Sequence, residues 1–279
     1  MIIRCWGSRG SIPVSGREYL RYGGNTTCLE IRTNDDQILI VDAGSGIREA
    51  GNALTVNRHH HFTLLLTHAH WDHIMGFPFF KPIYSSKTLL NIWGCPFAQE
   101  SIKEMLSRVM SAPNFPVSFS QIRAKISYQE NCFESYHLGS LTITPIALSH
   151  PNQGTGYKFE EDGKTFVFLT DNELGYRHEG GLDFQDYLNF VEGADMLFHD
   201  AEYKEDEYTK TRGWGHSLYR DALRLAMEGG VRKLGLFHHN QERIDSEVDA
   251  IVQDCRAIIQ KSGKKLRCFA VGQSMEFKI

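Results

Sequence analysis

Residues 68–73 of this 279-residue chain read His-Ala-His-Trp-Asp-His, placing four metal-ligating groups within six positions. They follow directly on an apolar run, 63–66. In an extended chain, residues two apart project to the same side, so His68 and His70 can pinch one cation. Asp72 and His73 lie where the chain turns, eased by Gly76, and can face a second position. Imidazole and carboxylate suit zinc or a related first-row divalent ion, manganese included. Four groups leave two ions under-coordinated, so more ligands must come from elsewhere. Three candidates end strand-like runs: His150 after 144–149, Asp171 after 166–170, and His238 or His239 after 234–237. A carboxylate has two oxygens, so Asp171 can bridge.

The elements that would position these groups are legible as apolar runs. Residues 2–6, 27–32, 37–41, 63–67, 88–93, 141–148, 165–170, 196–199, 233–237 and 267–271 read as strands, most of them unbroken, as in sheets buried on both faces. Helical spacing marks Ile102–Met110, a stretch from Phe184 to Val191 behind an Asp183 N-cap, Leu218–Ala226 ended by Gly229-Gly230, and Val248–Ile259 ended by Gly263. Strands first and mixed strand-helix units later imply layered sheets with outer helices. No linker or repeat divides the chain, so a single domain over 1–279 is expected. The stretch 77–137, with Pro78, Pro82, Pro96, Pro113 and Pro116 among aromatics, reads as an insertion walling a pocket.

Lys and Arg number 30 against 34 Asp and Glu, a formal charge of -4 that argues against a strongly basic nucleic-acid binder. No stretch approaches the roughly 18 apolar residues of a membrane span. The start lacks a secretory signal, and Cys5, Cys28, Cys95, Cys132, Cys255 and Cys268 form no CxxC pair. These features predict a soluble cytoplasmic protein with reduced thiols.

The HxHxDH pattern of His68, His70, Asp72 and His73 resembles that of the metallo-β-lactamase superfamily. The resemblance implies an α+β fold, an αββα sandwich of two mixed sheets with outer helices and two metals at one edge. It implies that His68, His70 and His150 bind one ion, that Asp72, His73 and His238 bind the other, and that Asp171 bridges. A single bridging Asp171 rather than a cysteine looks like the hydrolase and phosphodiesterase branches. Within the superfamily the chain is similar throughout to the phosphoribosyl cyclic phosphate phosphodiesterase-like group. The carrying segments are 6–13, 21–28, 42–46, 76–80, 115–117, Thr170-Asp171-Asn172-Glu173 and Gly213-Trp214-Gly215-His216-Ser217. That group also resembles tRNA 3′-end-processing endonucleases, and its members are often dimers, which implies a homodimer here.

The chemistry so implied is dinuclear. Two ions about 3.5–4 Å apart would share a water whose pKa falls towards roughly 7, giving a hydroxide that attacks a phosphodiester in line. His216 resembles the histidine that serves the phosphodiesterase branches and is expected to act as general acid or phosphate contact. Asp72 is expected to orient the hydroxide besides ligating. Asn25, among glycines, is a candidate substrate contact on a tight loop. Asp42 and the pair His199-Asp200 end strands and are expected to support ligands. His59, His60 and His61 read as an exposed turn, and Phe77, Phe79, Phe80 and Phe115 as core. The expected substrate is a small cyclic phosphodiester, either a cyclic nucleotide or a phosphoribosyl ester, with no stable nucleic-acid or membrane partner. RNA-processing endonuclease, lactonase or thioesterase, and non-catalytic metal sensor are the alternatives.

Overall fold

The structure is a computed structural model that describes residues 1–95, 101–129 and 134–279. Strands β1 (Ile2–Gly7), β2 (Cys28–Arg32), β3 (Ile38–Val41), β4 (His61–Leu65), β5 (Leu89–Trp93) and β6 (Lys125–Gln129) join β14 (Glu276–Lys278) in one sheet, ordered β14-β1-β2-β3-β4-β5-β6. The second sheet runs β13-β12-β11-β10-β9-β8-β7. Its members are β7 (Tyr136–Leu138), β8 (Leu141–Ala147), β9 (Thr155–Glu161), β10 (Lys164–Leu169), β11 (Met196–Asp200), β12 (Lys233–Phe237) and β13 (Arg267–Ala270). Both sheets are mixed: β3 to β6 run parallel, as do β10 to β13, while β1 to β3 and β7 to β10 pair antiparallel.

Three apolar clusters explain the layering. Side chains such as Leu29, Val41, Phe159, Phe168 and Phe237 fill the space between the sheets. The outer face of the first sheet is covered by helix α1 (Ile47–Val56), α3 (Ile102–Val109) and the buried Phe77 and Phe80. The outer face of the second is covered by α4 (Phe184–Val191), α6 (Tyr219–Glu228) and α7 (Asp245–Ser262). Burial on both faces is why the strands read as continuous apolar runs. The result is the expected αββα sandwich.

All ten strands expected from the sequence form, with ends moved by one or two residues. The spacing missed β6, β7, β9 and β14. Three of these are sheet edges, and β9 carries Lys158 and Glu160 among its apolar residues, which hides its pattern. It also missed α1, α5 (Glu205–Thr211) and the one-turn α2 (Trp71–Ile74). The stretch 77–137 supplies β5, α3 and β6 and enters β7. Phe79 is exposed, its ring 5.5 Å from that of Phe115. Cys5, Cys28, Cys255 and Cys268 are buried free thiols, but Cys95 is disulfide-bonded, which corrects the expectation of six reduced thiols. Cys95 lies two residues past β5, and such a pairing is set by tertiary proximity that Cys spacing does not reveal. No helix among the described residues is long and apolar enough to cross a membrane.

Candidate metal centre

The candidate ligands gather where strands end. His68 and His70 follow β4, His150 follows β8, Asp171 follows β10, and His238 is the residue after β12. Asp72 and His73 sit on α2, for which the extended His70 is the N-cap residue. Asp171 and His238 have φ of 53° and 56°, and Asp42, at the end of β3, has 63°. Non-glycine residues adopt this left-handed conformation at a cost, and its recurrence at three strand ends marks a site that the surrounding fold holds in place.

Among the described residues three groups of ligand atoms converge; two match the expected ligand sets, one from His68, His70, His150 and Asp171 and the other from Asp72, His73, Asp171 and His238, and a third joins Asp171 and His238 to Asp200 and His216. Within each group the atoms lie within 4.8 Å of one another, and Asp171 belongs to all three. In the first, His70 Nδ1 lies 2.9 Å from His150 Nε2, and Asp171 Oδ2 lies 3.6 Å from His68 Nε2 and 3.8 Å from His150 Nε2. In the second, His73 Nε2 is 3.2 Å from Asp171 Oδ1 and 3.4 Å from Asp72 Oδ2, while His238 Nε2 is 3.2 Å from Asp72 Oδ2. His239 turns away: its Nε2 donates to the carbonyl of Val271 at 2.8 Å. His238 is therefore the histidine of the pair that reaches the cluster. His59, His60 and His61 do not join it.

The donor set fits a pair of divalent cations on two grounds. His68 Nε2 and His73 Nε2 are buried without a hydrogen bond, and both face Asp171, so each is a polar nitrogen lacking a partner that a cation between them and Asp171 would supply. The electrostatics also demand positive charge. Although burial opposes it, Asp171, Asp72 and Asp42 hold His73 well above the usual imidazole range, and Asp171, Asp72 and Glu202 do the same for His238. Burial pushes His68 well down, and pushes His150 down to about 3 against the pull of Asp171. Those imidazoles are neutral at pH 7, the form that ligates.

The rings are held by their far nitrogens. His73 Nδ1 donates to Asp42 Oδ2 at 2.8 Å, and Asp42 accepts in turn from the Thr67 backbone N–H and hydroxyl. His238 Nδ1 donates to Glu202 Oε2 at 2.9 Å, and His150 Nδ1 to the carbonyl of Gly215 at 2.9 Å. Such bonds fix the tautomer and aim the other nitrogen at the ion.

His216 is buried against this centre. Its ring stacks on His238 at 4.6 Å, and its Nδ1 donates to Asp200 Oδ2 at 2.6 Å. Against burial, Glu202 and Asp200 raise its pKa to about 9, which keeps it protonated at pH 7. Asn25 stands apart: it accepts from the Ser45 hydroxyl and the Arg9 backbone N–H, neither of which is in the cluster.

Residues 37–239 match the family described as the beta-lactamase superfamily domain, a span that contains every candidate ligand. The chain belongs to that superfamily. It is a metal-dependent hydrolase of the beta-lactamase fold. Ribonuclease Z of Exiguobacterium sibiricum is 24% identical over 235 residues, covering 72% of this chain and 78% of that protein. The metallo-beta-lactamase fold protein YhfI of Bacillus subtilis superposes with a TM-score of 0.70 at 17% identity, over 99% of this chain and 98% of that one. A new diphosphatase from the PhnP family superposes at 0.68 with 16% identity, over 100% and 97%.

Several residues of this superfamily site were not singled out by the sequence. Ser11, at φ 60°, donates its backbone N–H to Asp72 Oδ2 at 2.9 Å. Glu202 orients His238. Asn172 accepts from the Ser149 N–H and donates to His199 Nε2, linking the segments that carry His150 and Asp171. Asn152, at φ 62°, lies 3.3 Å from His70 Nε2, leaving Nδ1 of that ring to face His150. Glu173 is a buried hub that accepts from the N–H groups of Gly213 and Gly215, from the Tyr208 hydroxyl and from His178 Nε2. A Cβ at Gly215 would stand 2.1 Å from His150 Nδ1, so only glycine fits there. Apart from the short segments 6–13, 170–173 and 213–217, the only signal for these residues was a strand ending nearby.

Proposed function

We propose that this hydrolase opens a small cyclic phosphodiester, a cyclic nucleotide or a phosphoribosyl cyclic phosphate, using two zinc or manganese ions. His68, His70 and His150 would hold one ion, Asp72, His73 and His238 the other, and Asp171 both. The observation that carries this reading is Asp171 shared between two groups of candidate ligands, with His216 stacked on His238 beside them. When bound, the ions supply Lewis acidity and lower the pKa of a shared water to about 7.

The protein's own groups do the rest. Ser11 and His238 fix the Asp72 carboxylate, which orients the nucleophilic water. With Nδ1–H of His216 committed to Asp200, the Nε2 proton is the one delivered to the leaving alkoxide. Glu173, through Gly213 and Gly215, holds the loop that carries His216.

A second reading, an RNA-processing nuclease, is favoured by the likeness to ribonuclease Z. Against it stand the charge of -4 and the location of the one dense basic run, 261–267. That run ends where β13 begins, opposite the carboxyl ends of the strands that carry the ligands. A metal-loaded panel of cyclic AMP, phosphoribosyl cyclic phosphate, precursor tRNA and a lactone tests the proposal. Turnover of a cyclic phosphate is expected, and cleavage of precursor tRNA alone would overturn it.

A further inference from the structure

Among the described residues, eight large apolar side chains are exposed, and two of them, Trp71 and Trp214, are chain neighbours of residues at the metal centre. Trp71 lies between the ligands His70 and Asp72 and is 57% exposed. Trp214, 64% exposed, precedes Gly215, whose carbonyl holds His150. One ring, His150, thus touches the neighbour of each tryptophan, with His70 at 2.9 Å on one side and Gly215 at 2.9 Å on the other. The loop under Trp214 is rigid, because Gly213 and Gly215, with φ of 87° and 95°, both donate their N–H groups to the buried Glu173 carboxylate. Both indoles are more than half exposed, and Trp214 stands on a backbone pinned to Glu173.

We infer that Trp71 and Trp214 form a stacking rim that takes the nucleobase of a small nucleotide whose cyclic phosphate lies on the metal centre. The inference rests on the phosphodiesterase reading and narrows it, since a phosphoribosyl ester without a base gives the rim nothing to stack on. Indole faces hold bases with little regard to base identity, so the rim selects for a base rather than among bases. It acts on binding, so its loss raises KM more than it lowers kcat.

The test compares the manganese-loaded enzyme with Trp71→Ala, Trp214→Ala and the double variant on cyclic AMP and on methyl riboside 3′,5′-cyclic phosphate, the same ester without a base. Wild type is expected to prefer cyclic AMP at least tenfold in kcat/KM. The double variant should bring that ratio near one, chiefly through KM, and Trp214→Phe should restore most of it. Equal use of both esters by wild type overturns the rim while leaving the phosphodiesterase reading standing. If no phosphodiester is hydrolysed, that reading fails, and the rim is decided by tryptophan fluorescence. Quenching by cyclic AMP that Trp214→Ala removes supports it, and no quenching in wild type overturns it. Competition by a pentameric RNA at lower concentration than cyclic AMP overturns the small-nucleotide assignment.

Discussion

Nδ1 of His216 donates to Oδ2 of Asp200 at 2.6 Å, with the Asp200 side chain wholly buried. The pair carries a proton beside Asp171, the carboxylate shared by the ligand groups, whose Oδ2 lies 4.0 Å from the same nitrogen.

From this pair, Asp200→Asn is expected to lower kcat on a cyclic nucleotide by about 100-fold, the range of a positioned general acid. Activity that needs protonated His216 persists below its pKa, about 9, and is lost above it. Removing the Asp200 charge lowers that pKa, so the alkaline limb of the pH–kcat profile moves to lower pH. The His216→Ala enzyme should lose about as much on the cyclic ester but less than tenfold on bis-p-nitrophenyl phosphate, whose leaving group needs no proton. Equal losses on both esters would remove the acid role.

The Asp42 carboxylate aims His73, and Asn152 aims His70. Asp42→Ala is expected to weaken zinc binding by about 10- to 100-fold and Asn152→Ala towards the lower end of that range. Competition with a chromogenic chelator reads both, independently of turnover.

Removal of Glu173 strands two backbone N–H groups and the Tyr208 hydroxyl. Glu173→Ala should cost about 1–3 kcal/mol of stability for the first buried donor left unmade. It should also lower kcat, because the loop carrying His216 is released. Urea unfolding and steady-state kinetics check the two effects.

Histidine 199 predicts an acid-side loss of stability. Burial lowers its pKa from 6.5 to about 4, while its ring donates to the Asp200 carbonyl and accepts from Asn172. The unfolded chain therefore binds a proton between pH 6.5 and 4 that the folded chain does not, and stability falls as pH drops through that window. His199→Gln should be the less stable protein at pH 7.5. Its deficit should shrink by about 2 kcal/mol at pH 5, as 1.5 units of linkage require. A constant deficit in chemical denaturation at the two pH values would contradict this.

Much of this architecture is legible before any coordinates. Strands buried on both faces give unbroken apolar runs, and the polar residue ending such a run stands out, which is why His150, Asp171 and His238 could be singled out. Local pattern did not reveal what depends on the meeting of distant segments. Glu202 and Asn172 look like ordinary loop polar residues until β11 and β10 lie side by side. The left-handed backbone of Asp171 and His238 carries no mark in the sequence, since neither is glycine. The apolar run alone left His238 and His239 open and the family resemblance chose His238; the rings differ in direction, His238 held by Glu202 and His239 turned to Val271.

The proposed dinuclear centre, with Asp171 shared between its two ions, is tested most directly by metal stoichiometry. Apo-protein titrated with zinc, with bound metal counted by mass spectrometry, should take up two equivalents per chain, and the Asp171→Ala variant at most one. A wild-type chain that saturates at one equivalent or fewer, or an Asp171→Ala chain that still binds two, would contradict the account.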